Sequence, residues 1–168
     1  VFSQINASLG EHHGFRIESV RWEKDAIPDF GQDGQDVINQ QLKPGENDFF
    51  VGILWCRFGT PTPRAESGTE EEFDQAYAKW METQSIRIQI YFNNTPPKCL
   101  TDIDPDQLKK VQNFKKKVQQ HGGLHSEYNN IASFKEQLRR NIEKSILALQ
   151  NTSAKNEQKS LIQAALEE

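Results

Sequence analysis

The sequence predicts an α/β fold built on a mainly parallel sheet, and three observations lead there. The stretch "DFFVGILW" (residues 48–55) is an almost unbroken apolar run of strand length, the pattern of a strand covered on both faces. "IRIQIYF" (86–92) alternates apolar and polar residues and stops at Asn93-Asn94-Thr95-Pro96-Pro97. The segments that follow these two have helical period. Phe73, Ala76, Tyr77 and Trp80 repeat at i, i+3, i+4 and i+7 within 69–81, and Leu108, Val111, Phe114 and Val118 stripe a lysine-rich run closed by Gly122-Gly123. Strands alternating with helices imply crossover connections, and hence parallel strands.

The other elements follow in chain order. Phe2, Ile5 and Leu9 share a helical face that Gly10 is expected to end. "FRIESVRW" (15–22) alternates Phe15 and Ile17, then Val20 and Trp22, and reads as a strand with a phase slip. Residues 23–34 form a loop broken by Pro28, Gly31 and Gly34, and "QDVINQQL" (35–42) suits a short helix. The main helix is expected to start at Thr69, with Glu72 as the far member of a capping box. "LHSEY" (124–128) suits a short edge strand. Ser133 and Glu136 form a second capping box, ahead of Phe134, Leu138, Ile142 and Leu149 on one helix. From Asn151 the chain turns polar, with Leu161, Ile162 and Leu166 marking either a further helix or the start of a linker. One domain is thus expected over 1–150, followed by a linker or helical segment over 151–168.

Composition narrows the function classes. At 168 residues, one domain with a useful core is the expectation. A net charge of −4 gives no general pull toward nucleic acid. No apolar run approaches the roughly 20 residues that cross a bilayer. Cys56 and Cys99 are far apart and form no CxxC pair, which favours reduced thiols and a cytoplasmic location. His12, His13, His121 and His125 show no zinc spacing, so no metal is expected. The phosphate fingerprints GxGxxG and GxxxxGK[ST] and the nucleophile motif GxSxG do not occur. In an open parallel sheet, ligands bind outside the carboxyl ends of the strands. Three loops would gather there: 23–34, 56–68 and 93–97.

"VRWEKDAIPDFG", "DFFVGILWCRFGTPTPRAESGTEEEF" and the downstream "FKEQLRR" resemble a TIR-like domain of the uncharacterised family found N-terminal to NACHT-type and other STAND ATPases. The resemblance spans residues 1–148 and is most specific in its middle segment. It implies a flavodoxin-like three-layer fold of strand order 2-1-3-4-5, with the first strand lying upstream of Val1 and missing from this chain. It also implies cleavage of NAD, as substrate and not as cofactor, at the nicotinamide–ribose bond. Glu72, with Phe73 and Ala76 behind it, matches the glutamate that steadies the oxocarbenium-like ribose. Around it, Trp55 could stack on a ring of the substrate, and Arg57 and Arg64 could pair with its pyrophosphate. Asp25, Pro28, Phe30 and Gly31 match an assembly loop that touches a neighbouring subunit. The implied partners are like domains in a homo-oligomer and attached ATPase or sensor domains, with no direct nucleic acid and no membrane.

Each of these residues also has a plainer reading. Glu70, Glu71 and Glu72 suit a helix start through capping and the helix dipole. Trp55 suits a core position, and Arg57 and Arg64 suit a solvated surface. Residues 25–34 suit an ordinary crossover loop. At the level of function, the alternatives are a non-catalytic adaptor that oligomerises and a nucleotide binder, with base transfer between sugars as a variant of the latter.

Overall fold

The computed structural model describes residues 1–166, and the side chains of these apart from Trp22, Glu23 and 152–166. The chain divides into two compact units, one of Val1–Ser19 with Ala132–Glu168 and the other of Val20–Ile131. The larger unit holds the sheet and the elements around it.

In that unit, β1 (Phe49–Leu54), β2 (Arg87–Asn93) and β3 (His125–Tyr128) form a three-stranded sheet in the order β1-β2-β3. Both pairings are parallel, with Phe50 opposite Ile88, Leu54 opposite Phe92, and Ile90 opposite His125. Helix α5 (Gly68–Thr83) connects β1 to β2, and α6 (Pro105–Gln120) connects β2 to β3. The fold is therefore α/β with an all-parallel open sheet, consistent with a flavodoxin-like fold. Consecutive crossovers of one hand put both helices on one face of the sheet. Packing agrees: Phe50, Leu54, Ile90 and Phe92 from the strands share one core with Phe73 and Ala76 of α5 and Val111, Phe114 and Val118 of α6. Gly52 is part of this arrangement, since a Cβ there would stand 2.9 Å from the Ile90 side chain and 3.3 Å from the Phe50 ring. Ahead of the sheet lie the short α3 (Trp22–Asp25) and α4 (Gly34–Leu42).

Two expectations about strands are corrected. The run at 48–55 is not covered on both faces, because β1 lies at the sheet edge and Ile53 stays 51% exposed. The expected strand over 15–22 is absent: residues 15–21 carry no strand, and Trp22 opens α3. The physical reason is a side chain standing in for a neighbouring strand. Asn6 accepts from the Ile17 N–H at 2.7 Å and donates to the Ile17 carbonyl at 2.9 Å, so Ile17's backbone is already paired.

The smaller unit is helical. Helix α1 (Phe2–Ile5) runs through a π-helical turn (Asn6–Gly10) into α2 (Glu11–His13). Gly10 does not end the helix as expected. Gly14 does, at φ 69° in the left-handed region. Gly10 is there for close approach, since a Cβ would lie 2.7 Å from the Phe15 carbonyl oxygen. Helix α7 (Ile131–Leu166) begins two residues before Ser133 and extends through the segment expected as linker or helix. Ile5, Leu138, Ile142 and Ile146 are buried. Among the described residues, no helix is long and apolar enough to cross a membrane. The side chains of Leu161, Ile162 and Leu166 lie outside the described set.

Candidate functional site

The loop from β1 into α5 decides where the glutamates lie. Gly59 turns it at φ +105°. Gln107 of α6 pins it by accepting from the N–H groups of Phe58 and Gly59 at 2.8 and 3.1 Å. Beyond Pro61 a tight turn forms on Thr62, whose hydroxyl accepts from Arg64 and Ala65 at 3.2 and 2.9 Å. That turn presents Arg64 toward the first turn of α5.

The cap of α5 is Ser67, two residues before the expected Thr69. Ser67 is extended (φ −163°, ψ 161°), only 1% exposed, and accepts from the Glu70 N–H at 3.1 Å. Gly68 permits this start, because a Cβ would stand 2.3 Å from the side-chain oxygen of Gln35. The three glutamates then diverge. Glu70 accepts from the Glu66 N–H at 3.0 Å and from Lys117 at 2.8 Å. Glu71 turns inward and is 5% exposed. Glu72 is half-buried and accepts from the Gln35 amide at 3.2 Å.

A polar network thus joins α4, the 62–65 turn and α5. Arg64 grips both carboxylate oxygens of Asp33, at 2.9 and 3.2 Å, and donates through Nε to Glu71 Oε1 at 2.6 Å. Asn39 donates to the same Glu71 oxygen at 2.6 Å, and Gln35 donates to Asn39 at 3.0 Å. Asp33 is itself the cap of α4, accepting from the Asp36 N–H. The Arg64 hydrogen bonds, followed by that N–H, hold the Asp33 carboxyl below its usual range. Asp33, then Glu71, make the Arg64 guanidinium still harder to deprotonate. Glu71 Oε2 is buried and has no hydrogen-bond partner among the described residues.

The network sits at the edge of the sheet where ligands of parallel sheets bind, since α5 begins where β1 ends. Its chemistry is that of two adjacent carboxylates, one buried and rigidly held, the other half-buried and bonded to a neutral amide. Such a carboxylate can accept from sugar hydroxyls or steady a nearby positive charge. Arg64 is committed to two carboxylates and could meet a phosphate only by leaving them.

Trp55 and Arg57 do not join this network. Trp55 is 43% exposed and donates from its indole to the Thr95 carbonyl at 2.9 Å, which ties the end of β1 to the loop after β2. Arg57 is exposed and has no hydrogen bond or ion pair among the described residues. Of the expected assembly loop, Asp25 is not loop but the last residue of α3, where it accepts from the Arg21 N–H at 2.6 Å, and Pro28 is exposed. Phe30 is fully exposed and Ile27 is 68% exposed. Gly31 lies so near α4 that a Cβ would meet Asp36 and Val37 side-chain atoms at 2.9 Å.

Sequence reasoning passed over Gln35, Asn39, Asp33 and the inward turn of Glu71. The spacing of Gln35 and Asn39 puts them on one face of α4 and was a usable signal. Their partners lie 32 and 37 residues away, however, where no local pattern reaches. A second polar cluster was also missed: Glu127 of β3 accepts from Lys115 and Asn94, with His125 Nε2 at 3.5 Å. Those bonds, that of Lys115 foremost, lower its pKa to about 2.

The sequence model of one protein family, described as Domain of unknown function (DUF4062), matches residues 13–143. No curated protein and no solved structure matches.

Proposed function

From the premise that this chain belongs to the DUF4062 family, we propose that it is a TIR-like effector domain that hydrolyses NAD once assembled within a STAND-type signalling or defence protein. Glu72 is the catalytic carboxylate. The C1′–N bond of the nicotinamide riboside breaks and the electron pair leaves with nicotinamide. Glu72 steadies the cation left on the ribose, and water adds at C1′. The products are ADP-ribose, nicotinamide and one proton. The observation that carries this reading is the start of α5. Ser67 makes the cap and the buried Glu71 pairs with Arg64, so neither task falls to Glu72, which stays half-buried beside the Gln35 amide.

The test is nicotinamide release from NAD by the assembled protein. Glu72→Gln should lower the rate by roughly 10²–10³, as loss of one charge-stabilising group does. A fully active Glu72→Gln protein removes Glu72 from the mechanism.

A second reading is favoured by a different observation. Phe30 and Ile27 are large apolar side chains held out in solvent on the 25–34 loop. A non-catalytic adaptor that docks like domains through this loop would use them in the same way. Self-association without any consumption of NAD selects this reading.

A further inference from the structure

At the opposite end of the sheet, where the strands begin, α5 and α6 diverge around a cavity of about 240 Å³. One wall is a ladder of aromatic rings on α5. Phe73 stacks on Tyr77 (5.9 Å, 17°) and Tyr77 on Trp80 (5.7 Å, 24°). The facing wall is His121, whose ring meets Tyr77 edge-on at 4.5 Å, with the backbone of Gly122 and Gly123 beyond it. Ile86 and Ile90 of the β2 region and Val118 of α6 are among the apolar lining.

The polar groups on this lining are mostly donors, and their hydrogen-bonding capacity is only partly used within the chain. Arg87 donates once, to the Gln84 carbonyl at 3.3 Å, and has no carboxylate partner among the described residues. The Tyr77 hydroxyl and the Trp80 indole N–H likewise have no hydrogen-bond partner among the described residues. His121 Nδ1 lies 2.8 Å from the Lys117 carbonyl and donates to it. Lys117 on the same helix is already claimed by Glu70 and Asp74 at 2.8 and 2.7 Å. An apolar, aromatic cleft with a few convergent polar groups is the usual form of a small-molecule site. The surplus of donors and the unpaired guanidinium select an anion, and the parallel rings select a flat one. The volume is below the roughly 300 Å³ at which drug-sized pockets begin, which limits the occupant to one or two fused rings.

We propose that this cleft is a binding site for a small planar aromatic carboxylate, stacked on the Tyr77–Trp80 ladder with its charge on Arg87. The site is separate from the Glu72 network and does not depend on the reaction proposed there.

Calorimetric titration of the full chain with 2-naphthoate, and with uncharged 2-naphthamide as its isostere, tests it. Saturable 1:1 binding is expected, with naphthoate favoured by about tenfold, the size of one charge-assisted hydrogen bond. Arg87→Gln should equalise the two probes, and Trp80→Ala should weaken both. In the unsubstituted protein, amide chemical-shift changes should centre on Tyr77, Trp80 and Gly122-Gly123. Three results would overturn the proposal: no saturable binding at millimolar probe, a naphthoate preference that survives Arg87→Gln, or shift changes centred elsewhere.

Discussion

Glu71 and Glu72 are neighbours in sequence but meet different surroundings. Glu71 Oε1 takes two donors at 2.6 Å each, from Arg64 and Asn39, while Oε2 is buried with no hydrogen-bond partner among the described residues. Removing a partner from a buried polar group exposes the desolvation cost that the hydrogen bond had offset, about 1–3 kcal/mol. Asn39→Ala should therefore lower the unfolding free energy by about that much, read from denaturant midpoints at unchanged slope. Glu127 gives the pH-dependent counterpart. Its pKa is lowered to about 2 from an ordinary 4.5. The stabilisation is fully present above the ordinary value and is lost as pH falls from there toward 2. Glu127→Gln should flatten that part of the acid limb and leave the neutral region nearly level. The effect is modest, because the side chain is 42% exposed and its pairs are screened by solvent. An unaltered acid limb in the variant would show that the Lys115 and Asn94 bonds contribute nothing in solution.

The elements show which part of the fold was legible in the sequence. β2, α5 and α6 were legible because each carries its own period, and β1 because it is an apolar run of strand length, and Phe50, Ile90, Phe73 and Phe114 of these elements are buried in one core. The strand expected over 15–22 failed because alternation reports amphipathicity, not the availability of a pairing neighbour. Asn6, eleven residues away, had already taken the Ile17 backbone. The start of α5 was displaced for a similar reason. Ser67 and Thr69 are both good caps by type, and the choice falls on Ser67, which the tertiary fold buries with its hydroxyl on the Glu70 N–H. This yields an element-scale prediction: Ser67→Ala should destabilise the protein by about 1 kcal/mol, whereas Thr69→Ala should be nearly silent. Equal losses from the two substitutions would return the cap to Thr69. The candidate site was legible only as a loop leading to three glutamates. Which glutamate turns inward depends on Arg64, Asn39 and Asp33, brought together by the tertiary fold.

At the scale of the whole molecule, the proposed catalysis and the proposed assembly are separable because they rest on different residues. Glu72 belongs to the network on α5, whereas Phe30 stands fully exposed on the 25–34 loop and supports no core. A large apolar side chain left in water buries nothing in the fold and costs little to remove, whereas one covered by a neighbouring subunit contributes its burial to association. Phe30→Ser should therefore leave the melting temperature unchanged while weakening self-association, measured by sedimentation velocity across a concentration series. If NAD hydrolysis requires assembly, its specific rate rises with protein concentration in the parent chain. Phe30→Ser should shift that rise to higher concentration, and enough protein should restore the rate. Glu72→Gln should lower the plateau itself, and no concentration should restore it. A Phe30→Ser protein that assembles as the parent does would remove this loop from the interface, and a specific rate independent of concentration would remove assembly from the mechanism. A chain that associates through Phe30 and never turns over NAD is the adaptor.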